Sequence, residues 1–191
     1  FLQKYHVEER DATGRTLLHI SSTFGNTGVI RYLLKKGADI NALDNSGWTA
    51  LLCAVNSGHY ETGIALLEAG AYPNATSESG SNALHYLCRS TEVNEWYVRI
   101  LQMLLEQRCN VNAENNEGNT PVHVAVQRCP SAEVIRMMLS LSKANLAILN
   151  KAGYSPLHIA IERNAQNIVE GIIEYGADLT TASPELGTPL A

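Results

Sequence analysis

Apolar positions fall along the chain in a two-part pattern that recurs about every 33 residues. A short apolar run, such as Leu17-Leu18-His19-Ile20 or Ala50-Leu51-Leu52-Cys53-Ala54-Val55, is followed by a longer stretch. There apolar pairs stand four residues apart, as Val29-Ile30 and Leu33-Leu34 do. Residues four apart share one helix face, so each longer stretch predicts an amphipathic helix. Corresponding pairs stand at Leu66-Leu67, Leu104-Leu105, Met138-Leu139 and Ile172-Ile173.

Glycines punctuate the same period, at Gly14, Gly47, Gly80, Gly118, Gly153 and Gly187, with intervals of 33, 33, 38, 35 and 34 residues. Two residues after each comes a helix-start signal: Thr16-Leu17-Leu18-His19, Thr49-Ala50-Leu51-Leu52, Asn82-Ala83-Leu84-His85, Thr120-Pro121-Val122-His123, Ser155-Pro156-Leu157-His158 and Thr188-Pro189-Leu190-Ala191. Thr, Ser or Asn supplies an N-cap oxygen, and Pro at the first helical position loses no hydrogen bond. Each longer helix then runs into a turn such as Gly37-Ala38-Asp39-Ile40-Asn41-Ala42, where Gly suits a left-handed backbone. The predicted unit is therefore short helix, turn, longer helix and hairpin loop.

This pattern resembles the ankyrin repeat, with its polar turn, Gly, Thr-Pro-Leu-His, two antiparallel helices and Gly-Ala-Asp-x-Asn-Ala. The resemblance implies an all-α solenoid and extends over nearly the whole chain. Five repeats are expected at residues 11–43, 44–76, 77–114, 115–149 and 150–182. The tail of an earlier repeat precedes them at 1–10, and the start of a truncated further one follows at 183–191. Both ends fall inside a unit, so a larger parent protein is expected. Arg108 and Lys143 stand where the pattern places the Gly that ends the second helix, so repeats three and four are expected to end differently. Leu52 replaces His in repeat two and Asn82 replaces Thr in repeat three, which weakens the expected loop bracing there.

Charge narrows the function. Fourteen Lys and Arg against nineteen Asp and Glu leave a net charge of −5, which disfavours a general phosphate, nucleic-acid or membrane-surface binder. The second repeat, with Asp44, Glu61 and Glu68 and no Lys or Arg, and the third, with a net charge of −2, are acidic, which favours a partner with a basic segment there. Apolar runs of about six residues are too short to span a bilayer, and no apolar stretch follows a basic start, so membrane insertion is not expected. Cys53, Cys88, Cys109 and Cys129 have no Cys-x-x-Cys pairing and read as reduced, packed thiols of an intracellular protein, cytoplasmic or nuclear.

His19, His85, His123 and His158 occupy one repeat position. Packed helices lie about 8–10 Å apart, whereas zinc takes nitrogen ligands at about 2.0–2.1 Å, so no shared metal is expected. In the family this His braces the loop network. No phosphate loop, His-Glu-x-x-His or Gly-x-Ser-x-Gly elbow is present, and neither a catalytic residue nor a cofactor is expected.

The resemblance implies a concave groove formed by hairpin fingers and inner helices. Phe24, Trp48 and Tyr154 place aromatics at its solvent-facing positions, and Arg89, Arg128 and Arg163 fall at nearly equivalent places in three successive repeats. Trp, Tyr and Arg are the types enriched at binding hot spots, and an Arg row suits carboxylates or phosphates. A five-residue insertion around Ser90–Tyr97 adds Trp96 and Tyr97 as a candidate rim site. Asn41 and Asn112 are similar to the ankyrin sites used by the oxygen-dependent asparaginyl hydroxylase, and both are also turn-bracing residues. The sequence thus points to a non-catalytic protein-interaction module that binds a peptide or protein surface. The alternatives are small-ligand or nucleotide recognition by the groove, or a regulatory spacer within a larger enzyme or channel.

Overall fold

The computed structural model describes residues 7–128 and 131–180. Helices follow in pairs of a short inner and a longer outer member: α1 (Leu17–Thr23) with α2 (Thr27–Lys35), and α3 (Ala50–Asn56) with α4 (Tyr60–Glu68). Then come α5 (Ala83–Cys88) with α6 (Glu95–Glu106), α7 (Pro121–Arg128) with α8 (Ala132–Leu141), and α9 (Pro156–Glu162) with α10 (Gln166–Glu174). No strand forms among the described residues.

Each inner helix packs on the next inner helix and each outer helix on the next outer one, which gives two layers around a continuous core. Inner helices are nearly all apolar because they are covered on both sides; Leu51, Leu52, Ala54, Leu84, Leu87, Ala125 and Ala160 are fully buried. Outer helices bury a stripe, which is why Ile30, Leu66, Leu101, Leu104, Ile135 and Ile172 vanish from the surface while intervening positions stay polar. Such units cannot bury their faces alone, so stability comes from the stack.

The start signals act as the sequence predicts. Thr49, Asn82 and Ser155 accept hydrogen bonds from the backbone N–H groups of Leu52, His85 and His158. The two departures at outer-helix ends resolve differently. Arg108 adopts the left-handed conformation (φ 60°) that Gly37 and Gly70 hold elsewhere. The bonds Cys109 N to Leu104 O (2.8 Å) and Arg108 N to Leu105 O (3.0 Å) close the same helix end as in the Gly-bearing units. Repeat three therefore ends as its neighbours do, because two backbone bonds offset the strain of a side chain there. The fourth unit does depart: Ser142 turns extended (φ −130°, ψ 169°), and its hydroxyl donates to Met138 O at 2.6 Å.

Between pairs the chain makes hairpin fingers, each closed by a backbone bond: Asp11 N to Arg15 O, Asp44 N to Trp48 O, Ser77 N to Ser81 O, Asn115 N to Asn119 O and Asn150 N to Tyr154 O. Neighbouring fingers are tied by Asn45 N to Thr13 O, Glu78 N to Ser46 O, Asn116 N to Ser79 O and Lys151 N to Glu117 O, at 2.9–3.1 Å. Close approach of the next finger explains the glycines of the first four fingers, Gly14, Gly47, Gly80 and Gly118. Gly118 has φ 74°, and a Cβ there would lie 2.8 Å from the Lys151 nitrogen. The tail units, including Gly187 and Thr188-Pro189-Leu190-Ala191, lie outside the described residues apart from Val7–Arg10.

Candidate functional site

The fingers are rigid because buried histidines hold them. His19, His85 and His123 are 0–1% exposed. Their Nδ1 atoms accept the N–H of Thr16, Asn82 and Thr120, and their Nε2 atoms reach the carbonyls of Trp48, Asn119 and Tyr154 in the next finger at 2.9–3.0 Å. A carbonyl only accepts, so the ring proton sits on Nε2 and the ring is neutral. Burial lowers the His85 pKa and pushes that of His123 down to about 4. Both nitrogens of these rings are thus occupied in loop bracing, as the repeat pattern predicts.

A second set of side chains shapes each finger from within. The carboxylate or amide oxygens of Asp11, Asp44, Asn115 and Asn150 each accept two backbone N–H groups, two and four residues on, at 2.8–3.1 Å. At the finger bases, Glu8, Asn41, Asn74 and Asn112 form a ladder. Their side-chain oxygens accept the N–H of Asp39, Tyr72, Asn110 and Asn145 in the following unit, at 2.6–2.8 Å. Asn41 and Asn112 are therefore structural rungs, and Asn112 also donates to Lys143 O at 3.0 Å.

The third finger, 77–81, is built otherwise. Leu52 cannot brace it as His does elsewhere, and Ser77 stands where the other fingers carry Asp or Asn. Tyr86 takes over: its hydroxyl lies 2.7 Å from Ser77 Oγ and 3.3 Å from Ser79 Oγ. Its ring meets Trp48 at 4.6 Å between centroids. Tyr86 is 5% exposed, and the Arg89 guanidinium lies over its ring at 5.8 Å.

A trough opens where these residues meet. A cavity of about 470 Å³ is lined by Ser46, Trp48, Asn56, Ser77, Glu78, Ser79, Tyr86 and Arg89. It adjoins one of about 310 Å³ that shares Trp48, Ser46 and Asn56 and adds Thr13, Arg15 and Thr23, and one of about 350 Å³ that shares Asn56, Tyr86 and Arg89. Fingers form one wall and inner-helix ends the other. Trp48 is half-buried with one face on Tyr86, so it is held in place rather than free to rotate. Preorganised aromatic area of this kind binds with little loss of side-chain freedom.

The other expected residues divide. Phe24, at the end of α1, is 69% exposed. Tyr154 is half-buried and meets His158 edge-on at 6.3 Å. Arg128 closes α7 and is exposed. Arg163 is committed elsewhere: it donates to Val126 O, one of the last carbonyls of α7. The rim insertion separates its two aromatics. Tyr97 is a correction to the expected rim site, because it is 0% exposed and packs edge-on against Tyr60 at 5.7 Å inside the core. Trp96 alone faces out, 37% exposed with Arg99 at 6.0 Å, because adjacent helical residues point about 100° apart. The insertion makes α6 twelve residues long, against nine in α2, α4 and α10. A separate cavity of about 190 Å³ lies beside Trp96, His59 and Glu61.

Tyr86 escaped the sequence reading because it sits at a position that other units fill with Ile20, Cys53, Val124 and Ile159. The available signal was a coincidence of three departures: Leu52 without a ring nitrogen, Ser77 without an amide, and a tyrosine hydroxyl nearby. The acidic repeats also read differently in space. Glu61, Glu68, Glu95 and Glu106 belong to outer helices, so much of the negative charge of repeats two and three lies away from the trough. Cys53 and Cys109 are buried, and burial pushes their pKa values up to about 11 and about 12, so neither is a reactive thiolate. Cys88 is also buried and reduced, and Cys129 lies outside the described residues.

A family model for ankyrin repeats matches the chain in three overlapping stretches, residues 1–77, 66–145 and 84–183. The chain belongs to the ankyrin-repeat family. It is 31% identical over 131 residues to a probable serine/threonine-protein kinase of Dictyostelium discoideum, a match covering 64% of this chain and 15% of that protein. It is 30% identical over 119 residues to transient receptor potential cation channel subfamily A member 1 of Drosophila melanogaster, covering 60% and 10%. A potassium channel of Arabidopsis thaliana is 33% identical over 116 residues, covering 61% and 14%. The matched ankyrin segments thus make up a small share of these relatives. No helix among the described residues is long and apolar enough to cross a membrane.

Proposed function

We propose that this ankyrin array is a non-catalytic protein-binding segment of a larger, intracellular protein, built from repeats at 11–43, 44–76, 77–114, 115–149 and 150–182. It takes a peptide or protein surface into the trough between fingers and inner helices. The observation that carries this reading is the fixed Trp48–Tyr86 wall beside the exposed Arg89, at the centre of three adjoining cavities. Trp48 and Arg89 form the core of the site. Phe24, Arg128 and Tyr154 extend it, Arg163 contributes through its hold on α7, and Trp96 is a secondary rim contact. Buried, reduced thiols fit an intracellular setting, cytoplasmic or nuclear.

The test is affinity capture from lysate on the intact chain beside Trp48→Ala, with equal folding confirmed by circular dichroism and captured proteins read by mass spectrometry. A partner lost with Trp48→Ala, at a cost of more than about 1 kcal/mol in a purified binding assay, is the expected result. Equal capture on both baits removes the trough from the site. Asn41 and Asn112 are proposed as asparaginyl hydroxylation sites on their likeness to known ankyrin substrates. A gain of one oxygen atom at either residue, read by peptide mass spectrometry of cell-derived protein, is the outcome that supports this.

A further inference from the structure

We propose that residues 183–191 seat on the open end of the fifth unit as the finger and helix start of a sixth, with the Gly187 carbonyl accepting the His158 Nε2 proton and Leu190 covering Ile161. These residues lie outside the described ones. The face at issue is the end of the stack, a surface separate from the trough.

An orphaned donor provides the first argument. His158 is 1% exposed, and its Nδ1 accepts the N–H of Ser155 at 3.2 Å, so the ring proton sits on Nε2. That N–H finds no hydrogen-bond partner among the described residues. In earlier units the same atom reaches a carbonyl of the next finger: Trp48 O from His19, Asn119 O from His85 and Tyr154 O from His123, at 2.9–3.0 Å. Each acceptor directly precedes the residue that opens the next inner helix, Thr49, Thr120 or Ser155, and Gly187 holds that place before Thr188. Buried donors are rarely left unmade, because nothing in the interior replaces the water they give up.

An uncovered apolar position provides the second. Ile161 on α9 is 37% exposed, whereas Ser22, Val55, Cys88 and Val126 at the same place in the other inner helices are 0–2% exposed. Each of those four helices has a following inner helix packed against it. Leu190 stands where Leu51, Leu84, Val122 and Leu157 stand in the following helices, all 0–1% exposed.

The path of the chain out of the fifth unit supplies the register. Asp178 Oδ1 accepts Thr180 N at 2.7 Å, the same turn that Asp39, Asn110 and Asn145 make with the N–H of Asn41, Asn112 and Ala147 at 3.0 Å. From Asn41, Asn112 and Ala147 the acceptors Trp48, Asn119 and Tyr154 are seven residues on, and Gly187 is seven residues beyond Thr180. An equal length of chain from an equivalent turn therefore brings a carbonyl to His158. A finger there extends the trough past Glu162 and Arg163 at the end of α9.

Histidine-ring NMR in water tests this on the intact chain beside Leu190→Asp, with circular dichroism confirming equal folding. The expected result is a solvent-protected Nε2 proton on His158, as on His85 and His123. In Leu190→Asp it exchanges about tenfold faster or more, while the other two stay unchanged. A His158 proton that exchanges at the same rate in both chains overturns the seat. Urea unfolding of Ile161→Ala, Leu190→Ala and the pair is a second readout: non-additive losses support the contact, and additive ones overturn it. Protection that grows with protein concentration, together with a rising sedimentation coefficient, assigns the face to a second copy and overturns the proposal as well.

Discussion

The third and fourth fingers have one backbone and two different supports. Both close with near-identical bonds, Ser77 N to Ser81 O at 3.1 Å with Gly80 N to Ser77 O at 2.8 Å, and Asn115 N to Asn119 O at 3.0 Å with Gly118 N to Asn115 O at 2.8 Å. The fourth is held by a half-buried amide and a buried ring: Asn115 accepts Glu117 N and Asn119 N, and His85 reaches Asn119 O. The third is held from its own inner helix by Tyr86, whose ring also carries Trp48. Bracing by histidine hides the brace, whereas bracing by tyrosine leaves an aromatic wall at the trough. The place where the repeat breaks its own pattern is where the proposed binding site lies.

The largest test addresses the other feature peculiar to the third unit, its lengthened outer helix. Tyr97→Ala removes a fully buried ring from Tyr60 and is expected to cost about 3–5 kcal/mol in urea unfolding. Trp96→Ala, one residue away, should stay within about 1 kcal/mol because its ring is outside the core. Comparable losses would show that Trp96 and Tyr97 share the core.

Acid should break the histidine-held fingers next. The His123 pKa is about 4 in the folded chain against an ordinary 6.5, so the unfolded chain takes up the proton first. Stability present at neutral pH is lost as pH falls from about 6.5 toward about 4, and the loss levels off once the folded form protonates as well. A shift of that size corresponds to about 3 kcal/mol, and His85 adds in the same direction. Unfolding midpoints measured from pH 7 to 4 should decline less steeply in His123→Gln, a change that removes the titrating ring. Parallel slopes would remove His123 as a source of the acid sensitivity.

The smallest test isolates the tyrosine brace. Tyr86→Phe keeps the stacking on Trp48 and deletes the hydroxyl that meets Ser77 and Ser79, at an expected cost of about 1 kcal/mol. Hydrogen exchange should quicken at residues 77–81 and stay unchanged at 115–119. Uniform exchange across both fingers would mean that Tyr86 does not hold the third one.

Much of this architecture was legible in the residues. Helix starts followed from Thr, Ser and Asn before apolar runs, and the histidine column followed from its repeat spacing. The outer-helix ends were harder. Arg108 and Lys143 looked alike as missing glycines, yet only the segment at Lys143 left the pattern, because bonds at Cys109 and Arg108 hold the former in a left-handed turn. The arginine row looked uniform as well, but Arg163 had an acceptor in Val126 O that lies 37 residues away in sequence.

By itself the sequence determined the period, the pairing of helices and the position of each finger, because these depend on local signals: caps, glycine turns and apolar stripes of 3.6-residue period. Tertiary structure decided which side chains the site retains. Packing turned Tyr97 inward and Trp96 outward, tied Arg163 to a neighbouring helix and set Tyr86 under Trp48. Each of those outcomes depends on what the adjacent repeat places within a few ångströms, and no pattern along a single repeat encodes that distance.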